Sequence, residues 1–138
     1  MKNFYLNRFG IGDELISSPI NQEVSTIVVV PSFSEPNIVD AVKSLVRSVI
    51  SPKKFEKIIV INHGENAADN DKKQNLESEE ALRTFISSDI AEIPIYIVTQ
   101  YNMHNKHAGV GLARKLGMDE AVRRFGQINK PEGLILCF

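Results

Sequence analysis

The sequence predicts an α/β fold: a three-layer sandwich around a mainly parallel sheet. Three observations carry this. Four short runs are β-branched and almost wholly apolar, the pattern of strands covered on both faces. Between them lie segments whose apolar residues recur every three or four positions, as in helices that shield a sheet. The alternation of the two is the pattern of βαβ units.

The first 24 residues mix Phe4, Tyr5, Phe9 and Ile11 with glycines and polar groups and hold neither period. They read as an N-terminal arm, with the domain proper over residues 25–138. Ser25 to Val30 (STIVVV) is the first strand, and Pro31, which has no N–H to give a ladder, is expected to stop it. Ile38, Val42, Leu45 and Val49, with Val39, Val46 and Ile50 beside them, then make a helix that Pro52 closes. Lys57 to Ile61 (KIIVI) is the second strand, and the polar stretch from Asn62 to about Asn75 reads as a long loop. A helix over Ser78 to Ser87 takes Ser78 as its cap and Ala81, Leu82, Phe85 and Ile86 as its buried stripe. Pro94 precedes the third strand, Ile95 to Thr99 (IYIVT). From Val110 to Phe125 a helix turns Ala113, Leu116, Gly117 and Ala121 to the core and leaves Arg114, Lys115, Arg123 and Arg124 in water. Pro131-Glu132-Gly133 then leads into Leu134 to Phe138 (LILCF), a fourth strand of buried type.

Composition narrows the function. At 138 residues and 43% hydrophobic content, the chain can fill one core. Sixteen Lys and Arg against seventeen Asp and Glu leave a net charge of -1, with no basic excess to hold a phosphate backbone, so nucleic acid is not expected as the main partner. The single Cys137 excludes a disulfide framework within the chain and a zinc site of paired cysteines, and fits a reducing, cytoplasmic compartment. No apolar run approaches a bilayer span and no signal-peptide pattern opens the sequence, so a soluble chain without a membrane segment is expected.

In open α/β sheets ligands bind outside the carboxyl ends of the strands, so the residues that follow each strand are the chemical candidates. Backbone at Pro31, Ser32 and Phe33, with the Glu35 carboxylate, offers fixed donors and acceptors to a nucleoside. The same segment also reads as a plain strand-to-helix turn, with Pro36 at the first helical position and Glu35 on the helix dipole. The Asn62 amide both donates to and accepts from a base edge, whereas His63 reads first as a turn histidine bonded to backbone and second as a catalytic or metal-binding group. His104 and His107 have no carboxylate or cysteine to complete a metal site. Gly109-Val110-Gly111 is not a dinucleotide fingerprint, because Arg114 stands at its third glycine and the loop does not follow the first strand. The Gly-x-Gly-x-Arg loop of sugar nucleotidyltransferases also follows the first strand, so it does not match either. Two readings stay open. Either a helix N-terminus, with Lys106 and Arg114, faces a diphosphate, or the glycines, Gly117 included, permit close helix-sheet packing and Arg114 is solvated.

Together these segments resemble the family 2 glycosyltransferases, nucleotide-diphospho-sugar transferases of GT-A fold, and the resemblance implies a Rossmann-like sheet with strand order 3-2-1-4. That family's first strand typically ends in Pro-Thr-Tyr-Asn-Glu, its second in Asp-Asp-Gly-Ser, and its third leads to a Gly-rich loop and an Ala-Arg-Asn-x-Gly helix. Here the corresponding segments are Pro31-Ser32-Phe33-Ser34-Glu35, Asn62-His63-Gly64-Glu65 and Gly109 to Gly117, within a resemblance that spans Ser25 to Phe138. It implies that Pro31, Ser32, Phe33, Glu35, Asn62, His63, Lys106, Gly109 and Arg114 bind a nucleoside diphosphate sugar. Asn62 and His63 replace the family's acidic pair, so the carboxylate preference for a uracil ring N–H is lost. In the family the fourth strand runs into Asp-x-Asp, which holds metal and diphosphate, and this sequence stops one residue short of it. The resemblance therefore implies the nucleotide-binding part of a longer enzyme, which uses a divalent metal, Mn or Mg, and a base that lie outside these residues. This chain alone is then inactive and holds no catalytic residue. An uncovered strand at Leu134 to Phe138 predicts a homo-oligomer. The competing reading is a non-catalytic α/β protein-interaction or regulatory module.

Overall fold

A computed structural model describes Leu6, Arg8, Gly10 and residues 14–47, 54–88, 93–104 and 109–138. Its elements are β1 (Thr26–Ser32), α1 (Ile38–Arg47), β2 (Phe55–Gly64), α2 (Asp69–Ser87), β3 (Ile95–Met103), α3 (Val110–Gln127) and β4 (Leu134–Cys137). The four strands form one all-parallel sheet in the expected order β3-β2-β1-β4. Alternation along the strands sorts their side chains into two cores. On one face Ile27, Ile58, Val60 and Val98 pack with Ala113, Leu116, Ala121 and Phe125 of α3, and Ile16, Ile20 and Val24 complete that layer. On the other face Val28, Val30, Ile59 and Ile61 meet Ile38 and Val42 of α1 and Leu82 and Phe85 of α2.

Several expected boundaries are corrected. β1 does not stop at Val30 but continues through Pro31 to Ser32, with Pro31 opposite Val60. The Val29 carbonyl accepts from the Phe138 N–H on the β4 side, so by alternation the Pro31 nitrogen faces that same side. There the ladder pairs β1 with β4 through Val29 and Cys137, and Pro31, without an N–H, adds no further bond to it. β2 and β3 run on to Gly64 and Met103, past the expected ends at Ile61 and Thr99. Pro36 precedes α1 rather than opening it: the first helical bond runs from Ala41 N–H to the Asn37 carbonyl, and Val49, Ile50 and Pro52 lie outside the described residues.

The long loop expected up to Asn75 is short, because α2 starts at Asp69. Asp69 and Asp71 in its first turn complement the helix dipole, and Ser78 is a buried mid-helix residue, not a cap. β4 is a strand, as expected, but not a buried one. It pairs with β1 at one end of the sheet and leaves Leu134 (54%), Leu136 (40%) and Phe138 (57%) exposed, with the Cys137 thiol free and exposed. Apolar composition specified a strand, but not its place at the edge.

Arg124, expected in water, is fully buried. Its Nε and Nη2 donate to the two carboxylate oxygens of Glu56, each at 2.7 Å. Nη1 donates to the Ser18 carbonyl at 2.8 Å, and the guanidinium lies 4.7 Å from the centroid of the Tyr96 ring. A bidentate fork with its remaining donors satisfied is the form in which an arginine tolerates burial. Arg123 is also turned inward, with Nη1 3.7 Å from Glu120, whereas Arg114 is exposed and Lys115 is half-buried beside Asp119 at 3.0 Å. Gly117 packs as close-approach glycine: a Cβ there would collide with Val29 and stand 3.2 Å from Val60 Cγ2.

Two expectations follow for stability. Arg124→Leu strands the Glu56 carboxylate and should cost about 3 to 5 kcal/mol, whereas the double variant Glu56→Leu/Arg124→Leu should recover most of that loss in urea denaturation. Glu120 is fully buried, accepts the Leu15 N–H at 2.6 Å on one oxygen, and has no hydrogen-bond partner on the other. Burial pushes its carboxyl pKa above the ordinary 4.5, against the opposing Leu15 N–H and Arg123. The folded state thus holds this proton more tightly than the unfolded chain. The stability it contributes is complete below the ordinary pKa and is lost as pH rises through the raised one. Glu120→Gln should therefore raise the melting temperature at pH 7 and leave it unchanged near pH 4 relative to the parent.

Candidate functional site

The chain moves outward from β1 through β2 to β3, then returns across the sheet by α3 to place β4 on the far side of β1. Strand order therefore reverses at β1, the point where an open α/β sheet leaves a crevice beyond its carboxyl ends. A cleft of about 230 Å³ lies there, lined by Pro31, Ser32, Phe33, Glu35, Asn62 and Val110. Five of these are residues that the sequence analysis selected, drawn together from the ends of β1 and β2.

Ser32 is 3% exposed, and its Oγ is buried with no hydrogen-bond partner. An orphan hydroxyl costs about 1 to 3 kcal/mol of desolvation, and Ser32 carries it in the wall of the cleft. Phe33 stands at the rim, 50% exposed. Glu35 lines the cleft and also accepts the Asn37 N–H at 3.1 Å, so it holds the turn into α1 while facing the opening.

Asn62 continues the series Glu56, Ile58, Val60 on the α3 side of β2. Its Nδ2 donates to the Gly109 carbonyl at 3.0 Å, which leaves Oδ1 and the second amide N–H as the side chain's remaining polar groups. Gly109 takes φ +132°, a value suited to glycine, and its carbonyl also accepts the Ala113 N–H at 3.1 Å. No acidic residue occupies the first turn of α3, and its N-cap, Gly109, makes no side-chain cap bond. Val110, the first residue of that turn, stands in the cleft wall.

His63 falls on the opposite face of β2 and does not line the cleft. It is buried, its ring stacks on Tyr101 at 4.8 Å and 10°, and Nδ1 stands 3.1 Å from the Gly64 carbonyl and 3.2 Å from the Asn102 N–H. The nitrogen serves one of these at a time, and the histidine bonded to backbone is the reading that describes it. Tyr101 in turn donates to Glu79 at 2.7 Å, and burial, reinforced by that bond, pushes its phenol pKa up. Arg114 is exposed on α3, outside the lining residues, and Lys106 and His107 lie outside the described residues.

The sequence analysis missed the residues that hold the cleft's wall. Asn75 of α2 is fully buried: Oδ1 accepts the Ser34 N–H at 2.8 Å and Nδ2 donates to the Asn62 carbonyl at 3.1 Å. Ser78 Oγ donates to the Glu35 carbonyl at 3.1 Å. Both stand at helical spacing from Leu82 and Phe85, a signal present in the sequence.

Neither a family model, a curated protein nor a solved structure matches the chain. Function is therefore argued from the cleft. Among the described residues no group of three His, Cys, Asp or Glu converges to hold a metal ion. The described residues offer no such group for the Mn or Mg ion that the resemblance implies, whose ligands it places outside this sequence. No described helix is long and apolar enough to cross a membrane.

If Ser32 Oγ is kept for a ligand rather than for the fold, Ser32→Ala should leave the ligand-free chain as stable as the parent or up to about 1 kcal/mol more stable. Urea denaturation without nucleotide checks this, and a loss above 1 kcal/mol would assign the hydroxyl to the fold instead.

Proposed function

We propose that this chain is the nucleotide-sugar-binding portion of a glycosyltransferase that moves a sugar from a nucleoside diphosphate donor to an acceptor hydroxyl. The orphan Ser32 hydroxyl in a cleft at the switch point, beside an uncapped helix N-terminus, is the observation that carries the reading. Each part suits one part of such a ligand. The opening N–H groups of α3 and the Ser32 hydroxyl supply donors to phosphate oxygens. The Asn62 Oδ1 accepts from a base or ribose, and the exposed Phe33 ring offers a stacking face. A volume of about 230 Å³ is below the roughly 300–1,000 Å³ of a complete small-molecule site, so the cleft holds part of the donor rather than all of it.

In the intact enzyme a bond from the acceptor oxygen to the anomeric carbon replaces the bond to the diphosphate, which leaves, and the hydroxyl proton passes to a base outside these residues. No catalytic residue is assigned in this chain, and it is inactive alone. The proposal includes a cytoplasmic location and self-association through β4, which the exposed Leu134, Leu136 and Phe138 support. Those same residues favour a second reading, a protein-interaction module. Ligand binding separates the two.

The test is a thermal-shift series with uridine, guanosine and adenosine diphosphates and their sugar conjugates, with and without manganese. A ligand at a hundred times its Kd stabilises by about 2.7 kcal/mol, so one nucleotide should raise the melting temperature clearly. Ser32→Ala should weaken that nucleotide by about 0.5 to 1.5 kcal/mol. If no nucleotide moves the transition, the interaction module replaces the enzyme reading.

A further inference from the structure

We propose that Asn75 and Ser78, one turn apart on α2, are positioning residues that shape the nucleotide cleft, an inference that rests on the nucleotide reading above. Neither side chain is among the residues lining the cleft. Their hydrogen bonds nevertheless run to its walls: Asn75 to the Ser34 N–H and the Asn62 carbonyl, Ser78 to the Glu35 carbonyl. The series extends further, because the Asn62 amide holds the Gly109 carbonyl at the start of α3. One run of bonds, from Ser34 through Asn75 and Asn62 to Gly109, thus ties together the segment after β1, the end of β2 and the start of α3.

Helix packing alone does not call for these side chains. Asn75 and Ser78 continue the inward stripe of Leu82 and Phe85, where a leucine would pack without bringing a buried amide into a helix interior. What the polar groups supply is hold over an unfavourable backbone. Ser34 takes φ +49°, in the left-handed region that a serine enters only when its surroundings dictate it. Asn75 fixes the N–H of that residue, and Ser78 fixes the carbonyl of the next. The strained residue lies between Phe33 and Glu35, both in the cleft wall, so its conformation sets where they stand.

The test measures amide hydrogen exchange and nucleotide affinity on the whole chain for Asn75→Leu and Ser78→Ala, with the nucleoside diphosphate that the parent binds best as the probe. In Asn75→Leu the Ser34 amide should exchange at least about tenfold faster while Ile58 to Ile61 in β2 keep the parent's protection, and affinity should fall about tenfold. Ser78→Ala should show the same pattern to a smaller degree. A folded Asn75→Leu chain with Ser34 protected as in the parent would overturn the proposal, and so would lost protection with unchanged affinity. If Asn75→Leu does not fold, Ser78→Ala decides by the same two measurements. If the parent binds no nucleoside diphosphate, the nucleotide reading and the inference for its cleft fail together, and the exchange data then show only whether the clamp orders Ser34.

Discussion

The buried ion pair of Arg124 and Glu56 sets the position of α3, on which one half of the structure depends. A guanidinium at the fourth turn of the helix grips a strand of the sheet and the carbonyl of Ser18, so three separate parts of the chain share one charged joint. Such a joint contributes geometry more than stability, since the desolvation of both ions offsets much of their attraction. Further along the same helix, the absence of a side chain at Gly117 lets the axis approach Val29 and Val60. At its start, Asn62 holds Gly109. A helix is stiff, so three attachments along 18 residues leave its first turn little choice of position, and that turn forms a wall of the cleft.

The opposite layer works by a different physical means. α1 and α2 cover the sheet through Ile38, Val42, Leu82 and Phe85, an ordinary apolar contact without direction. Direction comes from the amide of Asn75 and the hydroxyl of Ser78, whose bonds prescribe where the segment after β1 must run. Apolar burial gives the layer its cohesion and a few buried hydrogen bonds give it a unique geometry near the ligand.

What was legible in the sequence follows the same division. The type of every described element was readable, because β-branched runs and helical periods are statements about apolar side chains, whereas the sheet order was expected through the family resemblance. The misses are polar residues at inward positions. Arg124 lies one helical repeat beyond Ala121 and Gly117, and Ser78 and Asn75 one and two steps before Leu82, so periodicity pointed inward in each case. Charge and polarity pointed to water, and composition prevailed over period. The first half of α2 was read as a loop for that reason. Of the site, the ends of β1 and β2 were legible because topology places ligands there, and Asn62 and His63 then separate by strand alternation alone. Ser32 was selected from sequence, but the orphaned state of its hydroxyl depends on every neighbour in three dimensions. The exposure of β4 agrees with the uncovered strand expected at Leu134 to Phe138, although its apolar run by itself reads the same at the centre of a sheet and at its edge.

The all-parallel order also bears on how the chain comes together during synthesis. β1 lies between β2 and β4, and its partner on the β4 side arrives only after about a hundred further residues have been made. A nascent chain emerging from the ribosome can pair β1 with β2, and β2 with β3, and cover one face with α1 and α2 while α3 is still inside the exit tunnel. During that interval Ile27, Ile58 and Val60 present a bare apolar face, and the flank of β1 destined for β4 has open backbone groups. The half-built sheet is thus sticky on one face and on one edge at once, the surface that chaperones bind and that aggregation exploits.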